Sequence, residues 1–348
     1  MRANPSPWVL VPTRALQPLN AGLRALYRRG WLRSHRSDIP VISVGNIAMG
    51  GTGKTPLVAT LARILLDAGA RPAILTRGHG RRGRRPVLHL DHTVPPWQTM
   101  GDEPALLAVS LPGVPIIVDA DRVRGAATAA AAGIATHLLL DDGFQHWRLE
   151  RDLDLVVVSA DDPLADRCLR REHPRALAAA DAILATRCTG PAQAAAVREI
   201  LARWAPGVPV EFSRLEPIAL HRDGTVLAPR ALAGERVVAV AAIGNPAGFV
   251  QTLQDLGAQV VGHFFLADHS PITAPRLTRA LGRAKTLGAR VVVTAKDAVK
   301  LTASQRRQVE WLDVVSTLPD GALADLLSPL LSGEGARCTA VDRSTIPP

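Results

Sequence analysis

Val41-Ile42-Ser43-Val44-Gly45-Asn46-Ile47-Ala48-Met49-Gly50-Gly51-Thr52-Gly53-Lys54-Thr55-Pro56 decides the fold of this 348-residue chain. Val41 to Val44 is apolar throughout, as a buried strand is, and Leu57 to Leu66 repeats apolar residues at the 3.6-residue period of a helix. A glycine-rich turn between such elements aims backbone N–H groups and a helix N-terminus at an anion. Lys54 adds a point charge for the β- and γ-phosphates, and Thr55 offers a hydroxyl to Mg²⁺. Gly50, Gly51, Thr52, Gly53, Lys54, Thr55 and Pro56 are therefore the candidate nucleotide-binding residues. The common phosphate-loop spacing has a glycine where this chain has Ala48, so the motif is imperfect. A plain glycine-rich turn is the bland alternative, and the order of strand, loop, Lys-Thr and helix argues against it.

A second element points the same way. His137-Leu138-Leu139-Leu140-Asp141-Asp142 is an apolar strand ending in carboxylates, the place from which a phosphate-site strand supplies a partner for Mg²⁺. Together the two imply Mg-ATP or Mg-GTP.

Working outward, strands are expected at Pro72 to Thr76, Val87 to Leu90, Pro115 to Asp119, Leu155 to Ser159 and Ala182 to Thr186, mostly with helices between them. This is the α/β pattern of a phosphate-loop NTPase, a mostly parallel sheet with helices on both faces. Near Pro206-Gly207-Val208-Pro209 the rhythm turns to extended segments around Asp223-Gly224. A second, smaller α/β unit follows, with strands at Val237 to Ile243, Gln259 to Phe265 and Arg290 to Thr294. The expected division is residues 1–36 as an N-terminal amphipathic, membrane-associating segment, 37–206 as the nucleotide-binding domain, 207–235 as a short two-stranded linker, and 236–348 as the second domain that closes over the active-site cleft. The active site is expected in the cleft between the domains.

Composition narrows the function classes. A hydrophobic content of 47% and a mean hydropathy of +0.12 allow a large core. The net charge of +10 suits an anionic partner, although an arginine- and alanine-rich composition accounts for much of it. Aromatics at 3% argue against a base-stacking surface, and no nucleic-acid partner is expected. Cys168, Cys188 and Cys338 make no C-x-x-C pair, which fits a reducing compartment. No run is long and apolar enough to span a bilayer. At the N-terminus, Trp8-Val9-Leu10-Val11, then Leu19, Leu23 and Leu26, alternate with Arg24, Arg28, Arg29, Arg33 and Arg36. Such a segment either lies on an anionic membrane surface or packs as a helix on the protein body.

Acidic and basic clusters fall at loop positions: Gly101-Asp102-Glu103-Pro104, Asp141-Asp142-Gly143-Phe144-Gln145-His146, Thr76-Arg77-Gly78-His79-Gly80 and Asp268-His269. Asp102 could be only a helix cap, and an isolated Asp-His pair is usually incidental. With the phosphate loop, with Asp121-Arg122 and with Thr294-Ala295-Lys296-Asp297-Ala298-Val299-Lys300, these blocks resemble the tetraacyldisaccharide 4'-kinase family of lipid A biosynthesis over nearly the whole chain and in the same order. The family's loop is similar in lacking the first glycine, which accounts for Ala48.

The resemblance implies transfer of the γ-phosphate of ATP to the 4'-hydroxyl of tetraacyldisaccharide 1-phosphate. It implies a monomeric, peripheral or monotopic enzyme at the anionic cytoplasmic face of the inner membrane. By the same resemblance Asp102 and His269 form the pair that takes the sugar proton, with Lys54 in the transfer. Thr55, Glu103, Asp141 and Asp142 serve Mg²⁺, and Arg77, Arg122, Gln145 and His146 line the phosphate and sugar region. Two positions depart from the family pattern: His79 stands where tyrosine is common, and Ala295 where glutamate is common.

Overall fold

Thirteen strands join into one continuous sheet in the computed structural model, which describes residues 7–83, 85–93, 96–165 and 170–332, with side chains from residue 16 onward. Cys168, Cys338 and the side chains of Trp8 to Val11 lie outside the described residues. The strands are β1 (Val41–Gly45), β2 (Pro72–Thr76), β3 (Val87–His89), β4 (Ile116–Val118), β5 (His137–Asp141), β6 (Leu153–Ser159), β7 (Ala182–Thr186), β8 (Val210–Arg222), β9 (Thr225–Leu227), β10 (Arg236–Ala241), β11 (Gln259–Phe265), β12 (Arg290–Thr294) and β13 (Glu310–Thr317). The longer helices are α1 (Pro7–Arg28), α2 (Lys54–Asp67), α3 (Asp102–Ser110), α4 (Arg122–Ala132), α5 (Pro191–Ala202), α6 (Pro246–Asp255), α7 (Ala274–Thr286) and α8 (Ala324–Leu331).

Across the sheet the order is β11-β10-β12-β13-β8-β7-β6-β1-β5-β2-β4-β3, with β9 paired to β8. Pairing is parallel except at β3/β4, β8/β13 and β8/β9. Strands β1, β2, β4, β5 and β7 are buried along their whole length, which requires cover on both faces. On one face Leu57, Leu61 and Leu65 of α2 pack against Ile42, Val44 and Leu139. On the other, Ala126 and Ala129 of α4 pack against Val41, Leu138 and Leu140, so the alanine-rich stretch is a buried helix followed by a strand.

The halves share strand β8. Val210 to Ser213 pair in parallel with β7, and Arg214 to His221 pair antiparallel with β13. Its far end turns into β9 through Asp223 and Gly224, both at positive φ, the geometry of a tight hairpin. Strand β13 was not expected: Glu310, buried at its first position, and Asp313 within it interrupt the apolar pattern. Arg290 Nη1 at 2.8 Å and Arg222 Nε at 2.8 Å compensate the Glu310 charge from the neighbouring strands. The chain then returns to the first half, where Leu323, Leu327 and Leu330 join the core around Ile42 and Leu139. His137 Nε2 lies 3.1 Å from the Leu330 carbonyl.

Of the two readings of the N-terminal segment, Arg24 follows the packed one. Its guanidinium pairs with buried Glu172, donates to the Ala176 carbonyl at 3.1 Å, and lies 4.5 Å above the Phe144 ring. The Asn20 amide donates to the Arg171 carbonyl at 3.0 Å. Desolvating the Glu172 carboxylate requires a cation, and Arg24 supplies it, so this turn of α1 packs on the protein body. Leu19 and Trp31 remain exposed. No helix among the described residues is long and apolar enough to cross a membrane.

Candidate active site

The phosphate loop leaves the tip of β1 and ends at Gly53, whose φ of 83° favours glycine and turns the first N–H groups of α2 outward without a side-chain cap. Thr186 Oγ1 of β7 donates to the Thr52 carbonyl at 2.6 Å, Asn46 Nδ2 donates to Thr52 Oγ1 at 3.3 Å, and Arg187 donates to the Gly51 carbonyl. These bonds fix the loop from its carbonyl side. The second half reaches the same loop: a Cβ on Gly244, at the end of β10, would meet the Gly51 nitrogen at 2.4 Å.

Strand β5 delivers Asp141 and Asp142 beside the loop. Burial, Glu103 and Asp142 push the Asp141 carboxyl up to about 7, against the pull of Lys54 and a 3.0 Å hydrogen bond from Thr76 Oγ1. Asp142 behaves oppositely: burial disfavours its charge, but Lys54 at 3.4 Å and Arg171 at 2.8 Å hold it well below the usual carboxylate range. Asp142 has a φ of 56°, unusual outside glycine. The donors fit Mg²⁺. Thr55, Asp141 and Asp142 offer only hard oxygens, and the buried Asp142 Oδ1 has only the long 3.4 Å contact to Lys54 Nζ. Glu103 is engaged elsewhere, with Oε1 at 3.1 Å from Lys296 Nζ.

Asp102 opens α3 and accepts from the Glu103 amide at 3.0 Å. Its main partner comes from the other half of the chain. His269 Nδ1 lies 3.1 and 3.0 Å from the two Asp102 oxygens. His269 sits at φ 61°, and its amide donates to Asp268 Oδ1 and to the Ala242 carbonyl. Burial raises the Asp102 carboxyl, but the hydrogen bond from His269 and the charges of Lys296 and Lys300 leave it below its ordinary value. The Asp102 hydrogen bond raises the His269 imidazole, opposed by burial and Lys296. His79 packs on this imidazole with ring centroids 5.0 Å apart.

The remaining residues are more dispersed. Arg122 is buried, donates to the Ala120 carbonyl at 3.2 Å and has its Nε unpaired, while burial pulls its pKa down against the charges of Asp141 and Asp142. Arg77 is exposed. The Gln145 amide donates to the Asn46 carbonyl at 2.7 Å and to Glu172 Oε1 at 2.9 Å, tying its loop to the end of β1. Burial and the nearby Arg122, Arg148 and Arg151 push His146 down to about 4, so it is neutral at physiological pH.

Sequence reasoning gave Lys296 and Lys300 no role. Lys296 Nζ reaches Asp268 Oδ1 at 3.4 Å and His269 Nε2 at 3.4 Å, besides Glu103. Lys300 Nζ, fully buried, pairs with Asp297 at 2.8 Å and lies 3.9 Å from Asp102. The signal was in the composition: lysine occurs only at positions 54, 285, 296 and 300 against an arginine-rich background, and three of these four are in the site.

Comparison with known proteins identifies the family. The family model for tetraacyldisaccharide-1-P 4'-kinase matches residues 6–331. The tetraacyldisaccharide 4'-kinase of Anaeromyxobacter sp. (strain Fw109-5) is 42% identical over 293 residues, 81% of this chain and 78% of that protein. That of Dinoroseobacter shibae is 41% identical over 318 residues, 88% and 89% of the two chains. A crystal structure of LpxK from Aquifex aeolicus in complex with ATP superposes with a TM-score of 0.73 at 27% identity, covering 92% of this chain and 98% of that one. With a family match over nearly its full length, the chain belongs to the tetraacyldisaccharide 4'-kinase family.

Proposed function

We infer that the protein is an ATP-dependent kinase that phosphorylates the 4'-hydroxyl of a tetraacylated glucosamine disaccharide 1-phosphate, giving the 1,4'-bisphosphate. The observation that carries the reading is the meeting of Asp102 and His269, 167 residues apart, beside a phosphate loop that already holds Lys54. A nucleotide switch has no need of such a pair.

Phosphoryl transfer depends mainly on positioning and charge stabilisation. The loop amides and Lys54 hold the β- and γ-phosphates. The Asp102 and His269 pair takes the proton from the 4'-hydroxyl as its oxygen bonds to the γ-phosphorus, the bridging P–O bond breaks and ADP leaves. Mg²⁺, when bound, would neutralise charge on the phosphates; Thr55, Asp141 and Asp142 are its proposed ligands, and Glu103, ion-paired with Lys296, is not among them. Arg122 and Arg77 are proposed to meet substrate phosphate, and His146 to act as a neutral hydrogen-bonding group beside them.

The division of labour is one nucleotide-binding half, residues 37–206 together with the returning helix α8, and a second half from 236 through β13 that carries His269, joined through 207–235. The lipid substrate is proposed to be met at the cytoplasmic face of the inner membrane by a peripheral monomer. The exposed Leu19 and Trp31 lie at and just beyond α1, the expected contact with an anionic surface. The test is purified protein with γ-labelled ATP and the acylated disaccharide: label should move to the lipid, and release of labelled phosphate without labelled lipid would contradict the reading.

A further inference from the structure

The His269 ring has a charged neighbour on each nitrogen. Nδ1 faces both oxygens of Asp102, and Nε2 faces Lys296 Nζ at 3.4 Å and Asp268 Oδ2 at 3.5 Å. The two neighbours of Nε2 make opposite demands. A carboxylate only accepts, so Asp268 favours a proton on Nε2; an ammonium only donates, so Lys296 favours a lone pair there. A proton on Nε2 of a neutral ring would turn the Nδ1 lone pair toward the Asp102 carboxylate, setting acceptor against acceptor at 3.0 Å. Lys296 also engages Asp268 Oδ1 at 3.4 Å, drawing that carboxylate away from the ring, and Glu103 Oε1 at 3.1 Å on the opposing half. It is mostly buried, and Lys300, 3.9 Å from Asp102, is spent on Asp297 and the Ser270 carbonyl.

We propose that Lys296 is a positioning residue for phosphoryl transfer: by donating to Nε2 and binding Asp268 it keeps the neutral His269 proton on Nδ1, facing Asp102, and by binding Glu103 it fixes the ring to the nucleotide-binding half. This rests on the assignment of Asp102 and His269 as the proton-accepting pair. The lysine leaves Nε2 as the free basic nitrogen, which an incoming hydroxyl reaches once it displaces the weak 3.4 Å ammonium contact. It acts through the imidazole, without bonding the transferred phosphoryl group.

The test uses the full chain and two variants. Nitrogen-15 histidine spectra of the nucleotide-free protein, with the His269 signals assigned by their loss in His269→Ala, should show neutral His269 protonated on Nδ1. In Lys296→Met the same signals should move toward the Nε2-protonated form. Turnover of Lys296→Met should fall about 10- to 100-fold, a part of what acid–base catalysis contributes, with KM for ATP changed by less than about threefold. Lys296→Arg, which keeps a cationic donor, should regain most of the lost turnover and the Nδ1-protonated signature. It also supplies the comparison if Lys296→Met, which leaves the Glu103 and Asp268 carboxylates without their shared cation, fails to fold. An Nε2-protonated His269 in the unsubstituted protein, or an unchanged tautomer in folded Lys296→Met, would overturn the proposal. So would full multiplication of the Lys296→Met and His269→Ala losses. Normal turnover in His269→Ala would sink the proton-accepting pair instead, and the spectra would still decide whether Lys296 sets the ring proton.

Discussion

The two ends of the candidate site are built by different means. At the phosphate end the binding groups are backbone amides, the N-terminus of α2 and one lysine, all within a single stretch from Gly50 to Thr55. At the proton-transfer end they are side chains from distant places: Asp102 and Glu103 on α3, Asp268 and His269 after β11, and Lys296 after β12. A backbone cradle needs only local conformation, whereas a charge constellation needs the two halves to be held in register. The shared strand β8 and the Gly51 to Gly244 contact supply that register.

The largest expected effect strikes the phosphate end. Lys54→Ala should lower turnover by about 10³-fold or more, since a cation on the transferring phosphoryl group contributes on that scale, with far-UV circular dichroism unchanged. Near-normal lipid phosphorylation in that variant would break the division between the two ends.

Next is the contact that joins them. Gly244→Ala would place a methyl 2.4 Å from the Gly51 nitrogen, backbone against backbone, so the two halves must part. Small misplacements of reacting groups cost about 10²-fold, and kcat/KM should fall on that order while the melting temperature holds. Unchanged kcat/KM would show that the halves need not touch there.

Arg24→Ala tests the packed turn of α1. It strands the buried Glu172 carboxylate, already raised by burial, and should destabilise the fold by about 3–5 kcal/mol in urea titration. Stability within 1 kcal/mol of the unsubstituted protein, about the scale of an exposed ion pair, would return Arg24 to the solvent-facing side.

A smaller effect belongs to His79, whose ring rests on His269. Aromatic pairs contribute about 0.5–1.5 kcal/mol, so His79→Ala should cost a few-fold in kcat and His79→Tyr should retain activity. Equal losses in both variants would make the imidazole itself the requirement.

These regions also differ in how legible they were. The loop, the strands β1, β2, β5, β7, β11 and β12, and the Asp223-Gly224 turn could be read directly, because each is fixed by residues adjacent in sequence. The Asp102 and His269 pair became visible only through resemblance, since nothing local says that two loops 167 residues apart will meet. Strand β13 was hidden by Asp313 within it and by Glu310 at its start, whose two arginines lie on other strands. Helix α8 was hidden because its packing partner is the first half of the chain, and Pro329 interrupts its helical pattern. Arg24 could not be placed from sequence, because an arginine in an amphipathic run looks solvated until a buried carboxylate claims it.

The proton-transfer end also carries a pH signature. Asp102 raises the His269 pKa above the ordinary imidazole value of 6.5, so the neutral form that accepts a proton is lost as pH falls through a value above 6.5. Turnover should decline on that acid limb. Stability runs the other way: a raised folded pKa contributes stability below the unfolded value, and that contribution is lost as pH rises through the folded one. A turnover profile flat down to pH 6 would detach His269 from the chemistry.

A double-substitution cycle puts the pair itself to the test. Asp102→Ala and His269→Ala should each lower kcat by a similar factor, about 10² to 10⁴, with ATP affinity little changed. If the carboxylate and imidazole work as one unit across the two halves, the double variant should be within about threefold of the worse single variant, because losses inside a catalytic unit do not add. Losses that multiply in full would mean that the two groups act independently, and that their 3.0 Å contact is not the working element of the site.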